Sequence, residues 1–175
     1  MSNAELLYHG SMYAQEELMP GFKRSGELVE WDHTESNKFL YATTERDVAL
    51  MQGFASAVEK TWPVERFLTR GIRMTVYIVS DKFPSTREIE ALTIYLYTLK
   101  LNAADGWKRN SNKFNGLNSE WKTEQTIKES ILSREQLDVG QWLRHRRLEF
   151  VLIKDPSEAV GVDIRHQQLR KYLFG

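Results

Sequence analysis

Short apolar stretches set between long polar ones give this chain its rhythm. Leu6-Leu7-Tyr8-His9 is an apolar run stopped by Gly10, the length of a strand rather than of a helix. Ala14 to Met19 holds enough apolar positions for one or two helical turns, closed by the turn signal Pro20-Gly21. From Phe22 to Lys38 polar positions follow one another without a period. A loop of that length in a compact domain is usually functional or disordered. Phe39 to Thr43 reads as the next short strand. Thr44-Glu45-Arg46-Asp47 then opens a helix, because threonine caps well and an acidic residue lies three positions on. Val48, Met51, Phe54, Ala55 and Val58 follow at helical spacing, and Pro63 closes the segment.

Met74 to Val79 and Ile94 to Leu101 are β-branched and aromatic-rich, and read as strands. Trp107 to Asn118, rich in Lys, Asn, Ser and Gly, reads as a second long loop. Thr126 to Leu132 and Leu148 to Ile153 are further strands. Between them Ser133-Arg134-Glu135-Gln136 starts a helix running to Arg144, and Arg165 to Leu173 forms a last one. No repeat, low-complexity tract or linker divides the chain. Strands outnumber helices without alternating with them, which predicts an α+β fold rather than a doubly wound parallel sheet. Residues 1–175 are expected to form a single domain, with Met1 to Ala4 a tag or a frayed end.

Composition agrees with a globular domain: 41% of residues are hydrophobic and 27% charged. The absence of cysteine excludes disulfides, thiol nucleophiles and cysteine-ligated metals. No apolar run approaches the roughly 20 residues that span a bilayer, and the N-terminus lacks a signal-peptide pattern, so a cytoplasmic location is expected. Net charge is zero, which argues against a wholesale nucleic-acid binder. The charge is uneven, however. Residues 1–60 hold 5 Lys/Arg against 10 Asp/Glu, and residues 140–175 hold 7 against 4. The run Trp142-Leu143-Arg144-His145-Arg146-Arg147 reads as a solvated helix end, where cations are favourable.

Common sites are missing. There is no G-x-x-x-x-G-K-[ST] loop, no G-x-G-x-x-G and no G-x-S-x-G elbow. His9, His33, His145 and His166 lack metal-ligand spacing, so no metal is expected. What remains is Tyr8-His9-Gly10-Ser11, a histidine, glycine and hydroxyl at a strand end, and, some thirty residues on, Leu40-Tyr41-Ala42-Thr43-Thr44. Each residue alone has an ordinary structural reading: His9 as a hydrogen-bonded strand-end histidine, Tyr41 as a half-buried strand tyrosine.

In family order the two segments resemble the histidine-tyrosine-glutamate class of ADP-ribosyltransferases, which includes the diphtheria-toxin and poly(ADP-ribose) polymerase catalytic domains and the small rifampin-modifying transferases. That class has a strand ending in Tyr-His-Gly-Thr/Ser, then a strand carrying Tyr-Ser/Ala-Thr, then a helix with alanines. Leu18-Met19-Pro20-Gly21 follows the first motif here and Asp47-Val48-Ala49-Leu50 the second. The resemblance covers roughly the first 60 residues. It implies an ADP-ribosyltransferase-like split, mainly antiparallel sheet with flanking helices, and NAD as co-substrate.

By that resemblance His9 would hold the ribose, since an imidazole can donate from one nitrogen and accept at the other. Gly10 would offer its backbone to the nicotinamide amide, and Tyr41 would stack on the pyridinium ring. Ser11 and Thr43 complete the NAD-contacting set, and Arg24 could meet the pyrophosphate. The third catalytic member would be a glutamate at the start of a late strand. In Leu117-Asn118-Ser119-Glu120-Trp121, Glu120 is preferred, with Trp121 expected to restrict water around it; Glu124 is the competitor. Where family members often carry a second aromatic, some ten residues after the first tyrosine, this chain has Met51 and Gln52, with Phe54 the nearest ring. Asn118 stands where arginine-directed toxins carry a second acidic or amide signature residue.

The resemblance thus implies transfer of ADP-ribose from NAD to an acceptor, whether protein, nucleic acid or small molecule. The alternatives are an NAD glycohydrolase, a tRNA 2′-phosphotransferase-like enzyme, or a non-catalytic module that binds NAD, ADP-ribose or a protein.

Overall fold

A computed structural model of the chain describes residues 5–20, 39–61, 65–70, 74–79, 85–110, 120–144 and 148–153. Arg24, the expected loop over 22–38, most of the second loop, Pro63 and the expected helix over 165–173 lie outside these residues. The elements are β1 (Leu6–Ser11), β2 (Leu40–Thr43), α1 (Arg46–Thr61), β3 (Glu65–Arg70), β4 (Met74–Val79), α2 (Thr86–Glu90), β5 (Thr93–Lys100), β6 (Lys108–Arg109), β7 (Glu120–Thr123), β8 (Ile131–Asp138), α3 (Val139–Arg144) and β9 (Leu148–Ile153).

Six strands form one sheet in the order β6-β7-β2-β1-β5-β8, every neighbour antiparallel. A second sheet, β3-β4-β9, pairs β4 antiparallel with β3 and parallel with β9. The architecture is α+β and mainly antiparallel. No described helix is long and apolar enough to cross a membrane.

Alternation along the strands splits the core of the six-stranded sheet in two. On one face α1 lays Ala49, Leu50, Met51, Phe54, Ala57 and Val58 against Ile94 and Leu96 of β5, with Val139 and Trp142 of α3 closing the layer. Phe54 meets Trp142 edge-on, ring centroids 6.3 Å apart. Each of the larger side chains, wholly buried, contributes about 1.5–3 kcal/mol. The other face gathers Leu7, Leu40, Ala42, Tyr97 and Leu99 under Leu18, Trp107 and Ile127. The helix starts a residue or two later than Thr44 implies: the Glu45 carbonyl accepts from Ala49 N, and the hydroxyl of Thr43 accepts from Glu45 N at 3.1 Å.

Three sequence expectations change. Ala14 to Met19 is not helical. The buried Tyr97 hydroxyl accepts from Gln15 N at 2.6 Å and donates to Tyr13 O at 2.9 Å, and Leu18 exchanges both backbone hydrogen bonds with Ile127, so this segment is held open across the sheet. Residues 133–138 belong to a strand instead of the helix expected from Ser133. β8 closes the edge of β5 with its side chains solvated on both faces, so it carries no strand alternation to read. Tertiary pairing overrides local propensity there. Only Val139–Arg144 is helical, and Asp138 Oδ1 accepts from Gln141 N at 2.7 Å at its start. The strand expected over Thr126–Leu132 is in fact the single bridge at Ile127, followed by β8 from Ile131.

Candidate functional site

The strands that carry the candidate residues are neighbours: His9 on β1, Tyr41 on β2 and Glu120 on β7. The junction of β1 and β2 is unlike the rest of the sheet. β1 makes six register pairs with β5, and β2 makes four with β7, but β1 and β2 share only Tyr8 with Thr43. Past that pair the two strands part into a seam. His9 bridges it, its Nδ1 lying 2.7 Å from Tyr41 O. A carbonyl oxygen only accepts, so Nδ1 carries the proton and, in the neutral ring, Nε2 is the accepting nitrogen. The imidazole replaces a missing rung of the ladder and fixes its own tautomer in doing so.

Gly10 lies on the α1 side of β1. A Cβ there would stand 1.9 Å from Ala49 O and 3.0 Å from Gly53 N. Its lack of a side chain is therefore required by the backbone of α1, which rests directly on it. Ser11 is buried, and its hydroxyl accepts from Tyr13 N at 3.1 Å and Gln15 Nε2 at 3.2 Å. Thr43, fully buried, turns its hydroxyl to Glu45 N. In this structure both hydroxyls shape turns.

Glu120 pairs with Thr43 in register and is 8% exposed. One carboxylate oxygen accepts from Gln52 Nε2 of α1 at 3.1 Å, and the other accepts from Asn110 Nδ2 in a short bond. Asn110 N also donates to Glu120 O at 2.9 Å. The carboxylate is thus gripped from both sides by neutral amides. Trp121 does not shield it. Strand alternation sends Trp121 to the opposite face, against the Leu7–Ala42 cluster with Arg109 stacked over it at 5.2 Å. Gln52 and Asn110 cover Glu120 in its place. Glu124 is exposed, beyond the end of β7 and on the far side of Lys122 from Glu120.

Two rows of side chains therefore cross β2, β7 and the β6 strand on the face that looks at α1. One is Thr43, Glu120 and Asn110; the other is Tyr41, Lys122 and Lys108. Tyr41 is half-buried, with Phe39 edge-on to it at 6.2 Å. By alternation His9 shares the opposite side of its strand with Leu7 and Ser11, and its ring lies 6.1 Å from that of Tyr97. Phe54, the ring nearest in sequence to the expected second aromatic, is core.

Sequence reasoning missed Gln52, Asn110 and the two lysines. Gln52 had a signal: it lies four residues after Val48, a polar amide on the buried arc of an amphipathic helix. Asn110 had none, being one polar residue in a polar loop. Among the described residues no group of three or more His, Asp or Glu gathers as a metal site would. No family model matches the chain, and no curated protein or solved structure is significantly similar to it.

Proposed function

We propose that this chain is an NAD-dependent ADP-ribosyltransferase working at the β1/β2 seam. The observation that carries the reading is the adjacency of three strands bearing His9, Tyr41 and a buried, doubly hydrogen-bonded Glu120 at the junction where β1 and β2 share a single register pair. The residue types suit such a ligand, with His9 on the opposite side of the sheet from Tyr41 and Glu120 and hydrogen-bonded to the backbone of Tyr41. The accepting nitrogen of His9 suits a ribose hydroxyl, the half-buried ring of Tyr41 suits a flat pyridinium, and an acidic group stands one strand further on.

In this reading the bond between C1′ of the ribose and the nicotinamide nitrogen breaks, and nicotinamide leaves with the electron pair. Positive charge builds on C1′ and its ring oxygen. Glu120, held in one orientation by Gln52 and Asn110, stabilises that charge without reorganising as it develops. The acceptor's nucleophilic atom then bonds to C1′ and gives up its proton to solvent. Water in place of the acceptor would give free ADP-ribose.

Release of nicotinamide from NAD, followed chromatographically, tests the reading. Glu120→Gln is expected to lower the rate by about 10²–10³-fold, the range seen when one electrostatic stabiliser of a transition state is removed. Glu124→Gln is expected to leave it unchanged. A wild-type chain that neither binds NAD nor releases nicotinamide would refute the assignment, and turnover surviving Glu120→Gln would refute the role of the carboxylate.

A further inference from the structure

The β6/β7 ladder gathers Lys108, Arg109 and Lys122, none of which forms an ion pair among the described residues. Lys108 and Lys122 are directly opposite one another in register, and like charges so placed destabilise a sheet. Arg109 is the next residue on β6. The ion pairs found among the described residues, Arg46–Glu135 and Arg134–Glu16, involve none of these three cations. The chain as a whole has zero net charge, so attraction of an anion must come from local placement of cations such as this one. Lys108 and Arg109 are exposed, and their two-residue strand is the outermost of the sheet. Aromatic rings are interleaved with the charges: Lys122 Nζ lies 4.4 Å from the centroid of Phe39, and the Arg109 guanidinium covers Trp121.

We infer that this β6/β7 edge of the sheet docks single-stranded nucleic acid. Cations spread over both faces of a ladder suit a chain of successive phosphates, whereas one phosphate monoester on a peptide would call for cations converging on a point. Planar groups beside the cations, the guanidinium stacked on Trp121 and the ring of Phe39, are the platforms on which unpaired bases stack. A duplex hides those bases. The position gives the ligand its role. From the seam outward the order is His9, Tyr41, then Glu120 with Lys122, then Lys108, so a nucleic-acid strand held on the β6/β7 ladder approaches Glu120 from the side away from the seam. That is where an acceptor stands if NAD occupies the seam, and the assignment as acceptor rests on the function proposed above; the docking does not.

Fluorescence anisotropy of a labelled, short, mixed-sequence single-stranded oligonucleotide, titrated with the full chain in the absence of NAD, tests the docking. Sequence-independent binding with a dissociation constant on the order of 10⁻⁵ M at physiological salt is expected. Three phosphate contacts give a slope of log affinity against log salt of about −2, from roughly −0.7 per neutralised phosphate. In Lys108→Gln/Lys122→Gln the slope is expected to shrink to about −0.7 and binding to weaken tenfold or more, while Lys108→Arg/Lys122→Arg keeps both. Both variants change exposed or half-exposed side chains, and circular dichroism checks that they fold. Absence of binding, an unchanged slope in the glutamine variant, or displacement by a phosphoserine peptide at lower concentration than by unlabelled oligonucleotide would overturn the inference. A chain that binds the oligonucleotide yet consumes no NAD supports the docking and removes the transferase.

Discussion

Replacing Gly10 by alanine tests the contact on which both the sheet and the site depend. The new methyl would stand 1.9 Å from the carbonyl oxygen of Ala49, where ordinary contact begins at 3.4 Å. The obstacle is main chain inside a helix and has no rotamer to escape into, so α1 must lift off β1 by more than an ångström. Overpacking of a core costs about 1–3 kcal/mol, and lifting α1 also loosens Leu50, Met51 and Phe54 from β5. A loss of about 3 kcal/mol is expected, a large part of a typical stability of about 5–15 kcal/mol. Gly53→Ala provides the contrast on the other side of the same contact. Its methyl would meet Gly10 C at 3.0 Å, which needs a shift of only tenths of an ångström, and alanine gains about 1 kcal/mol over glycine within a helix. That variant should stay within about 1 kcal/mol of the parent. Urea denaturation gives both values as changes in midpoint at constant m. Equal stabilities for Gly10→Ala and the parent chain would mean that α1 does not rest on β1 in this way.

Other outcomes follow from single contacts. Gln52→Leu removes one donor from the buried carboxylate of Glu120, a change of about 1–3 kcal/mol in the environment of that group; on the proposed function, kcat for nicotinamide release should fall about tenfold or more with KM little changed, and an unaltered kcat would remove Gln52 from the positioning of Glu120. Tyr97→Phe deletes the hydroxyl that holds Tyr13 and Gln15 and should cost about 1–2 kcal/mol. Burial raises the Tyr97 pKa above 10.0, so its contribution is complete below pH 10 and is lost as pH rises beyond it, when the unfolded chain ionises more readily; the alkaline fall in stability should be shallower in the phenylalanine variant. Glu88 is the opposite case: the hydroxyl and backbone N–H of Ser85 hold its carboxylate below 4.5. Its capping contribution is therefore present above pH 4.5 and lost as pH falls below it, and the stability gap between the parent and Glu88→Ala, measured in urea, should narrow between pH 7 and pH 3.

What could be read in advance was what local pattern determines. The strands at Met74–Val79 and Leu148–Ile153 match their apolar runs residue for residue, and the spacing of Val48, Met51, Phe54 and Val58 located α1. Ser85 and Glu88 at capping-box spacing were a legible start for α2 that drew no helix, because the five residues of Thr86–Glu90 bury only Ile89 and show no period. Two errors have one cause. Ala14 to Met19 and the segment from Ser133 look helical locally, and both are held extended by partners far off in sequence, Tyr97 and Ile127 in one case and the length of β5, as far as Asp138, in the other. The shield around Glu120 was misread for a related reason. Adjacent residues in a strand face opposite ways, so Trp121, the nearest neighbour in sequence, is the side chain least able to cover it.

The helix α1 ties together the two halves of the candidate site. Its backbone at Ala49 and Gly53 bears on Gly10, and between them on the sequence Gln52 reaches Glu120 across β2. Position along the helix and position across the sheet are therefore not independent: the same helix sets the height of β1 at the seam and the orientation of the carboxylate. The hydroxyl of Thr43 ties the turn before the helix to β2, and its register partner is Glu120 itself. A displacement of α1 must act on Glu120 twice, through Gln52 and through Thr43. On the function proposed above, loss of NAD turnover in Gly10→Ala should for that reason exceed what the unfolded fraction alone explains, even though glycine offers no side chain. A rate that merely tracks the folded population would separate the helix contact from the chemistry.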